Sequence, residues 1–165
     1  LICLDSGDVH PTEQVGDKIS SALLFVPEIL LHVTRPIRWD SDHVVTMNDD
    51  TLLIAQEIVR SNALDKVYMG LDFFDASINR VGAYVVGTRA AQQCMLFALL
   101  EPQKMLLEYE ENRNFFERLA MLELMKTKPF GAIWDYYGLK NNVPVAQDFI
   151  TEIQQYEKDV LSKRS

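Results

Sequence analysis

Leu30-Leu31-His32-Val33-Thr34-Arg35-Pro36-Ile37-Arg38-Trp39-Asp40-Ser41-Asp42-His43-Val44-Val45 begins inside an apolar run and ends beyond a pair of carboxylates. Residues 29–33 read as a short buried strand, with a histidine set into it. Asp40 and Asp42 lie two apart, so in extended chain both side chains point the same way. Carboxylate oxygens are what hard divalent cations prefer, and a metal site at the end of a strand is written like this. An Asp-Ser-Asp run more often makes a solvated turn or a helix cap, so its surroundings have to carry the metal interpretation.

Working outward, residues 1–4 read as another apolar strand, ending in Asp5-Ser6-Gly7-Asp8. A helix is predicted over 12–25, with Pro11 and Glu13 suiting its first turn and Val15, Ile19, Ala22 and Leu23 at helical spacing before Pro27. Asn48-Asp49-Asp50-Thr51 supplies caps for a helix over 49–62, and a third strand over 66–71 ends in Asp72-Phe73-Phe74-Asp75. Strand, helix, strand, helix, strand predicts a parallel α/β arrangement with right-handed crossovers. Beyond Asn79 the pattern turns helical over 80–100, 115–126, 131–139 and 145–161, divided by Pro102, Pro129 and Pro144. Acidic stretches such as 108–111 read as solvated faces. With no repeat, low-complexity tract or linker, residues 1–79 and 80–165 are expected to form one structural unit.

The 165 residues, 48% of them hydrophobic, suffice for one domain with a substantial core. Acidic residues outnumber basic ones by 24 to 16, a net charge of −8, and the basic residues are scattered, which argues against a nucleic-acid surface. Cys3 and Cys94 have no framework spacing and sit in apolar runs, so both are expected to be buried free thiols in a reducing compartment. No apolar stretch reaches the roughly 18 residues of a membrane span. A soluble cytoplasmic protein is the expectation, and the start on Leu1-Ile2-Cys3-Leu4 suggests a chain cut at its N-terminal side.

All three strands end in the same chemistry: Asp5 and Asp8 after the first, His32 in the second with Asp40 and Asp42 beyond, and Asp72 after the third. Parallel barrel strands bring their C-terminal ends to one face, where barrel chemistry is built. Carboxylates gathered there without a metal would repel, and a divalent cation removes the conflict. An oxygen-rich set with one imidazole and no thiolate favours Mn²⁺ or Mg²⁺, with Zn²⁺ or Co²⁺ at the histidine-containing position. Each residue also has a plainer use. His32 suits a core histidine, Asp5 an Asx-turn and Asp72 a cap. His10 could contact substrate or shape the turn before Pro11, and His43 could assist the site or merely neighbour Asp42. Trp39, Phe73 and Phe74 could wall a sugar-sized pocket or pack a core.

The runs Leu4-Asp5-Ser6-Gly7-Asp8-Val9-His10-Pro11-Thr12-Glu13, residues 30–45 as quoted above, and Gly70-Leu71-Asp72-Phe73-Phe74-Asp75-Ala76-Ser77-Ile78-Asn79-Arg80 closely resemble the L-rhamnose isomerase family. Trp134-Asp135-Tyr136-Tyr137 and Tyr156-Glu157-Lys158 extend the likeness to the end of the chain. The resemblance implies a metal-dependent aldose–ketose isomerase converting L-rhamnose to L-rhamnulose, cytoplasmic and homotetrameric, with one or two divalent ions, manganese foremost, in each subunit. It implies a (β/α)₈ TIM barrel of which this chain holds the last three strands and the C-terminal helices. Asp5, His32 and Asp72 match the family's ligands for a structural ion, whose glutamate ligand falls outside this chain. Asp40 and Asp42 match ligands of the catalytic ion. Its third ligand, a histidine in the family, falls at Asp8, which adds negative charge and should lower the ion's power to polarise sugar oxygens. In the family the metals hold neighbouring oxygens of the open-chain sugar while a hydride moves between two carbons. The glutamate and lysine that assist lie outside this portion.

A competing expectation is a non-catalytic remnant or oligomerisation module of the same fold, motivated by Asp8 and the helical tail. A barrel nuclease or hydrolase is disfavoured by the charge and the lack of a basic groove.

Overall fold

The structure, a computed structural model, describes residues 1–37, 41–75 and 77–164. Three strands, β1 (Ile2–Asp5), β2 (Ile29–Val33) and β5 (Val67–Leu71), form a parallel sheet in the order β1-β2-β5. Ile2 lies opposite Ile29, Asp5 opposite His32, and His32 opposite Gly70. A two-stranded antiparallel ribbon, β3 (Arg35–Pro36) and β4 (Asp42–His43), follows β2, with Arg35 opposite His43 and Pro36 opposite Asp42.

The period-2 rule of a strand divides the sheet into two unlike faces. Ile29, Leu31 and Val33 are wholly buried on one face and, with Val15, Ile19, Ile54, Ile58 and Ala63, make the core. Two helices bring these partners, α1 (Gly16–Ala22) and α2 (Asp49–Arg60), which pack on each other. Leu4 and Met69, opposite Leu31 in register, join the same face. Cys3, Asp5, Leu30, His32, Tyr68 and Gly70 alternate onto the other.

This alternation corrects one expectation: Cys94 is buried but Cys3 is exposed. Cys3 belongs to the face the helices do not cover, and β1 is an edge strand. Burial pushes the Cys94 thiol up to about 12.

Helix α2 begins where the sequence predicts, because the Asn48 side chain accepts from the Thr51 N–H at 2.9 Å; Asp49 and Asp50 in its first turn and Arg60 in its last suit the helix dipole. The first helix is shorter than the predicted 12–25. The Thr12 N–H donates to His10 Nδ1 at 3.3 Å and the Glu13 N–H to the His10 carbonyl at 2.8 Å, so the chain spends residues 10–13 on a turn before helical bonding starts.

The long helix is found over Arg80–Leu100 as α3, capped by the Asn79 side chain on the Gly82 N–H. Its buried positions other than Phe97, namely Ala83, Gly87, Ala90, Ala91, Cys94 and Ala98, are small and recur at helical spacing, which lets α3 lie close against α2. Among the described residues four further α-helices follow, α4 (Gln103–Glu111), α5 (Phe115–Lys126), α6 (Phe130–Lys140) and α7 (Asp148–Asp159), and then a 3₁₀ turn over Leu161–Lys163. The sequence pattern missed α4, whose single buried residue, Leu106, is a weak periodic signal among acidic neighbours. Pro102 and Pro129 sit at the N-caps of α4 and α6. Among the described residues no helix is long and apolar enough to cross a membrane.

Candidate metal centre

Strand register builds the site. Asp5, His32 and Gly70 are opposite one another across three parallel strands, so Asp5 and His32 share a face. Asp72 is two residues beyond Gly70 and returns to that face; its N–H donates to the Val33 carbonyl at 3.1 Å, carrying the ladder one step past β5. His32 Nδ1 lies 3.2 Å from Asp5 Oδ2 and 3.5 Å from Asp72 Oδ2. One ligand atom from each of the three falls within 4.8 Å of the others. Asp5 and His32 are partly buried and Asp72 is open to solvent, so the cluster sits at the mouth of the strand ends.

The turn after β1 is set by the Gly7 N–H, which donates to Asp5 Oδ1 at 2.7 Å and leaves Oδ2 to the histidine. Gly7 also admits Asp42. A β-carbon built on Gly7 would stand 3.0 Å from Asp42 Oδ1, 3.2 Å from Asp5 Oδ1 and 3.2 Å from Thr34 Cγ2, so both carboxylates close over one bare α-carbon. Asp8 is exposed, its N–H donating to the Asp5 carbonyl at 3.4 Å. Asp40 and Trp39 lie outside the described residues. Among the described residues Asp5, His32 and Asp72 are the only trio of potential ligands that converges.

The other sequence candidates divide. His10 Nδ1 is 2.7 Å from the Thr12 hydroxyl, which fits its turn-shaping role, and His10 also lines a cleft of about 330 Å³ with Ser6, Thr34 and Pro36. His43 Nδ1 is 3.9 Å from Asp75 Oδ2. The hydroxyl and N–H of Ser77, helped by His43, hold the Asp75 carboxyl below its ordinary value. Phe73 is no pocket wall: it is 2% exposed and stacks at 5.1 Å on Tyr84, whereas Phe74 is exposed. The strand period explains the pair, since Phe73 turns to the helix-covered face and Asp72 away from it.

Sequence inspection missed Ser6 and Thr34, both buried, which tie the turn to the ribbon. Small hydroxyl residues next to Asp and Gly look like ordinary turn formers, and no spacing rule singles them out.

The family model for L-rhamnose isomerase (RhaA) matches residues 1–164. The chain belongs to the L-rhamnose isomerase family. It is 60% identical over 164 residues to the L-rhamnose isomerase of Bacteroides thetaiotaomicron, covering 99% of this chain and 39% of that protein. The L-rhamnose isomerases of Salmonella typhi and an Enterobacter species are each 52% identical, again over 99% of this chain and 39% of the relative. The chain thus spans about 39% of the length of these family members.

Proposed function

We propose that this chain forms part of an L-rhamnose isomerase, an enzyme interconverting L-rhamnose and L-rhamnulose, and that Asp5, His32 and Asp72 hold a divalent ion in it. The convergence of these three side chains at adjacent strand ends, in a chain of this family, carries the proposal. Their donor set suits such an ion. A spread of 4.8 Å is about twice a metal–ligand distance of ~2.0–2.6 Å, and two carboxylates with one imidazole balance a divalent charge. Asp8, Asp40 and Asp42 are assigned to a second ion. The sheet would supply the last three strands of a (β/α)₈ barrel, with residues 1–79 its strands and intervening helices and 80–165 a helical extension of the same unit. The full enzyme would be a cytoplasmic homotetramer using Mn²⁺.

When bound, such an ion polarises neighbouring oxygens of an open-chain sugar. The protein's own contribution is placement. Asp5 uses Oδ1 on the Gly7 N–H and Oδ2 toward His32, so its carboxylate is fixed in rotation. His32 presents Nδ1 to both carboxylates. That nitrogen is within hydrogen-bond reach of Asp5 Oδ2 at 3.2 Å and lies 3.5 Å from Asp72 Oδ2, and an ion held there would take its lone pair in place of the contact with Asp5. Asp42 is brought over the same turn by the ribbon, within reach of a substrate held there.

The test replaces the matching 39% of the Bacteroides enzyme with this chain and assays L-rhamnulose formation with Mn²⁺. The chimera should isomerise L-rhamnose, lose activity on chelation and gain activity on Asp8→His, while the 165-residue chain alone should be inactive. A folded chimera that is inactive with either residue at position 8 would sink the proposal and leave a non-catalytic remnant. Full activity of the chain alone would overturn its placement as part of a larger barrel.

A further inference from the structure

Two buried hydroxyls stand between the elements that carry the candidate ligands. The Ser6 N–H donates to the His32 carbonyl at 3.0 Å. Its hydroxyl donates to the Thr34 carbonyl at 3.1 Å and accepts from the Thr34 N–H at 2.8 Å. Ser6 thereby clamps the turn holding Asp5 and Asp8 onto the chain just past β2. The Thr34 hydroxyl reaches the other way, donating at 3.2 Å to the carbonyl of His43, the neighbour of Asp42 in β4. Arg35 Nε donates to the Val44 carbonyl at 3.0 Å and secures the far side of the same ribbon. The Thr34 methyl, Asp5 Oδ1 and Asp42 Oδ1 each lie 3.0 to 3.2 Å from where a β-carbon on Gly7 would stand. Ser6 and Thr34 are 6% and 3% exposed, so water does not substitute readily for these bonds.

We propose that Ser6 and Thr34 are positioning residues whose hydroxyls lock the Asp5–Asp8 turn to the Asp42 ribbon and so fix the spacing of the two ion sites. The inference rests on the function proposed above. The Asp5–His32–Asp72 trio is aligned by strand register and needs no hydroxyl, whereas the ribbon is only two residues deep and the Thr34 hydroxyl ties its Asp42 strand to the chain just past β2. Loss of the Thr34 hydroxyl should therefore loosen the second site and spare the first.

Mn²⁺ titration of the chimera, followed by the electron paramagnetic resonance signal of free Mn²⁺, reads the two sites directly. His32→Ala and Asp42→Asn identify which binding class belongs to which site. Thr34→Val keeps the shape of the side chain without its hydroxyl and should weaken the Asp42 class about tenfold, the worth of one buried hydrogen bond, while the His32 class is unchanged. Thr34→Ser should restore it, and Ser6→Ala should resemble Thr34→Val. If Ser6→Ala does not fold, the Thr34 pair decides. Unchanged binding of both ions by Thr34→Val, or equal weakening of both classes in Thr34→Val and Thr34→Ser, overturns the inference. A parent chimera that binds fewer than two ions defeats the proposed function itself, and the inference falls with it.

Discussion

At the scale of single residues, Gly7 and the strand ends show why part of the site was legible in the sequence and part was not. Strand ends alone gathered Asp5, Asp8, His32, Asp40, Asp42 and Asp72 into one group, because parallel strands aim their ends together. The family resemblance singled out Asp5, His32 and Asp72, the trio that register brings within reach of one another. Asp42 needed the ribbon to bring it back, and Gly7 is what lets it arrive. A methyl there would enter contacts of 3.0 to 3.2 Å with two carboxylate oxygens and the Thr34 methyl. Gly7→Ala is therefore expected to push Asp42 and Asp5 apart and weaken Mn²⁺ binding about tenfold or more, as disturbed supports of metal ligands do. Isothermal titration of the chimera checks this, and unaltered affinity for both ions would show that the carboxylates do not need this approach.

Elements are held by two contacts that periodicity did not reveal. Glu101, just past α3, has a side chain with no solvent exposure; Arg60 at the end of α2 meets it with two hydrogen bonds of 2.8 and 3.0 Å, and Gln56 adds a third at 2.6 Å. Removing one partner strands a buried charge, a loss of about 3–5 kcal/mol for such pairs. Arg60 keeps some contact with water, so Glu101→Ala should fall toward the lower figure in urea unfolding, and a change under 1 kcal/mol would contradict the assignment. The second contact joins α3 to the strand end. A β-carbon on Gly87 would stand 2.6 Å from the Phe73 ring, which is too buried to step aside. Alanine gains about 1 kcal/mol in helix propensity, whereas overpacking costs about 1–3 kcal/mol. Gly87→Ala is expected to lower stability on balance and to loosen Mn²⁺ binding, because Phe73 is bonded to Asp72. A stabilised variant would show that the ring moves freely. Strands and long helices were legible because their periods are regular. The boundaries of α1 and the existence of α4 were not, since a side-chain-capped turn at His10 and one buried leucine leave little periodic trace.

At the scale of the molecule, the sheet's two faces give the proposed barrel its most direct check. One face is dry under α1 and α2, while the other carries Cys3 in the row below Asp5 and would turn inward if further strands closed a barrel. Alkylation of the native chain should label Cys3 and spare Cys94, whose thiol is both buried and held protonated. In the chimera Cys3 should become protected, as peptide mapping by mass spectrometry would show; equal labelling in both would count against closure.

The edge of β1 has a practical corollary. Ile2, and Leu1 just before it, are exposed at the start of a strand with an open side, and an edge of this kind is a template for any chain that can pair with it. Solutions of the 165-residue polypeptide should accordingly scatter light increasingly with concentration, and a charged residue at Ile2 should suppress the effect. If further strands close the proposed barrel along β1, the edge they would cover is the one expected to start aggregation in the separate polypeptide.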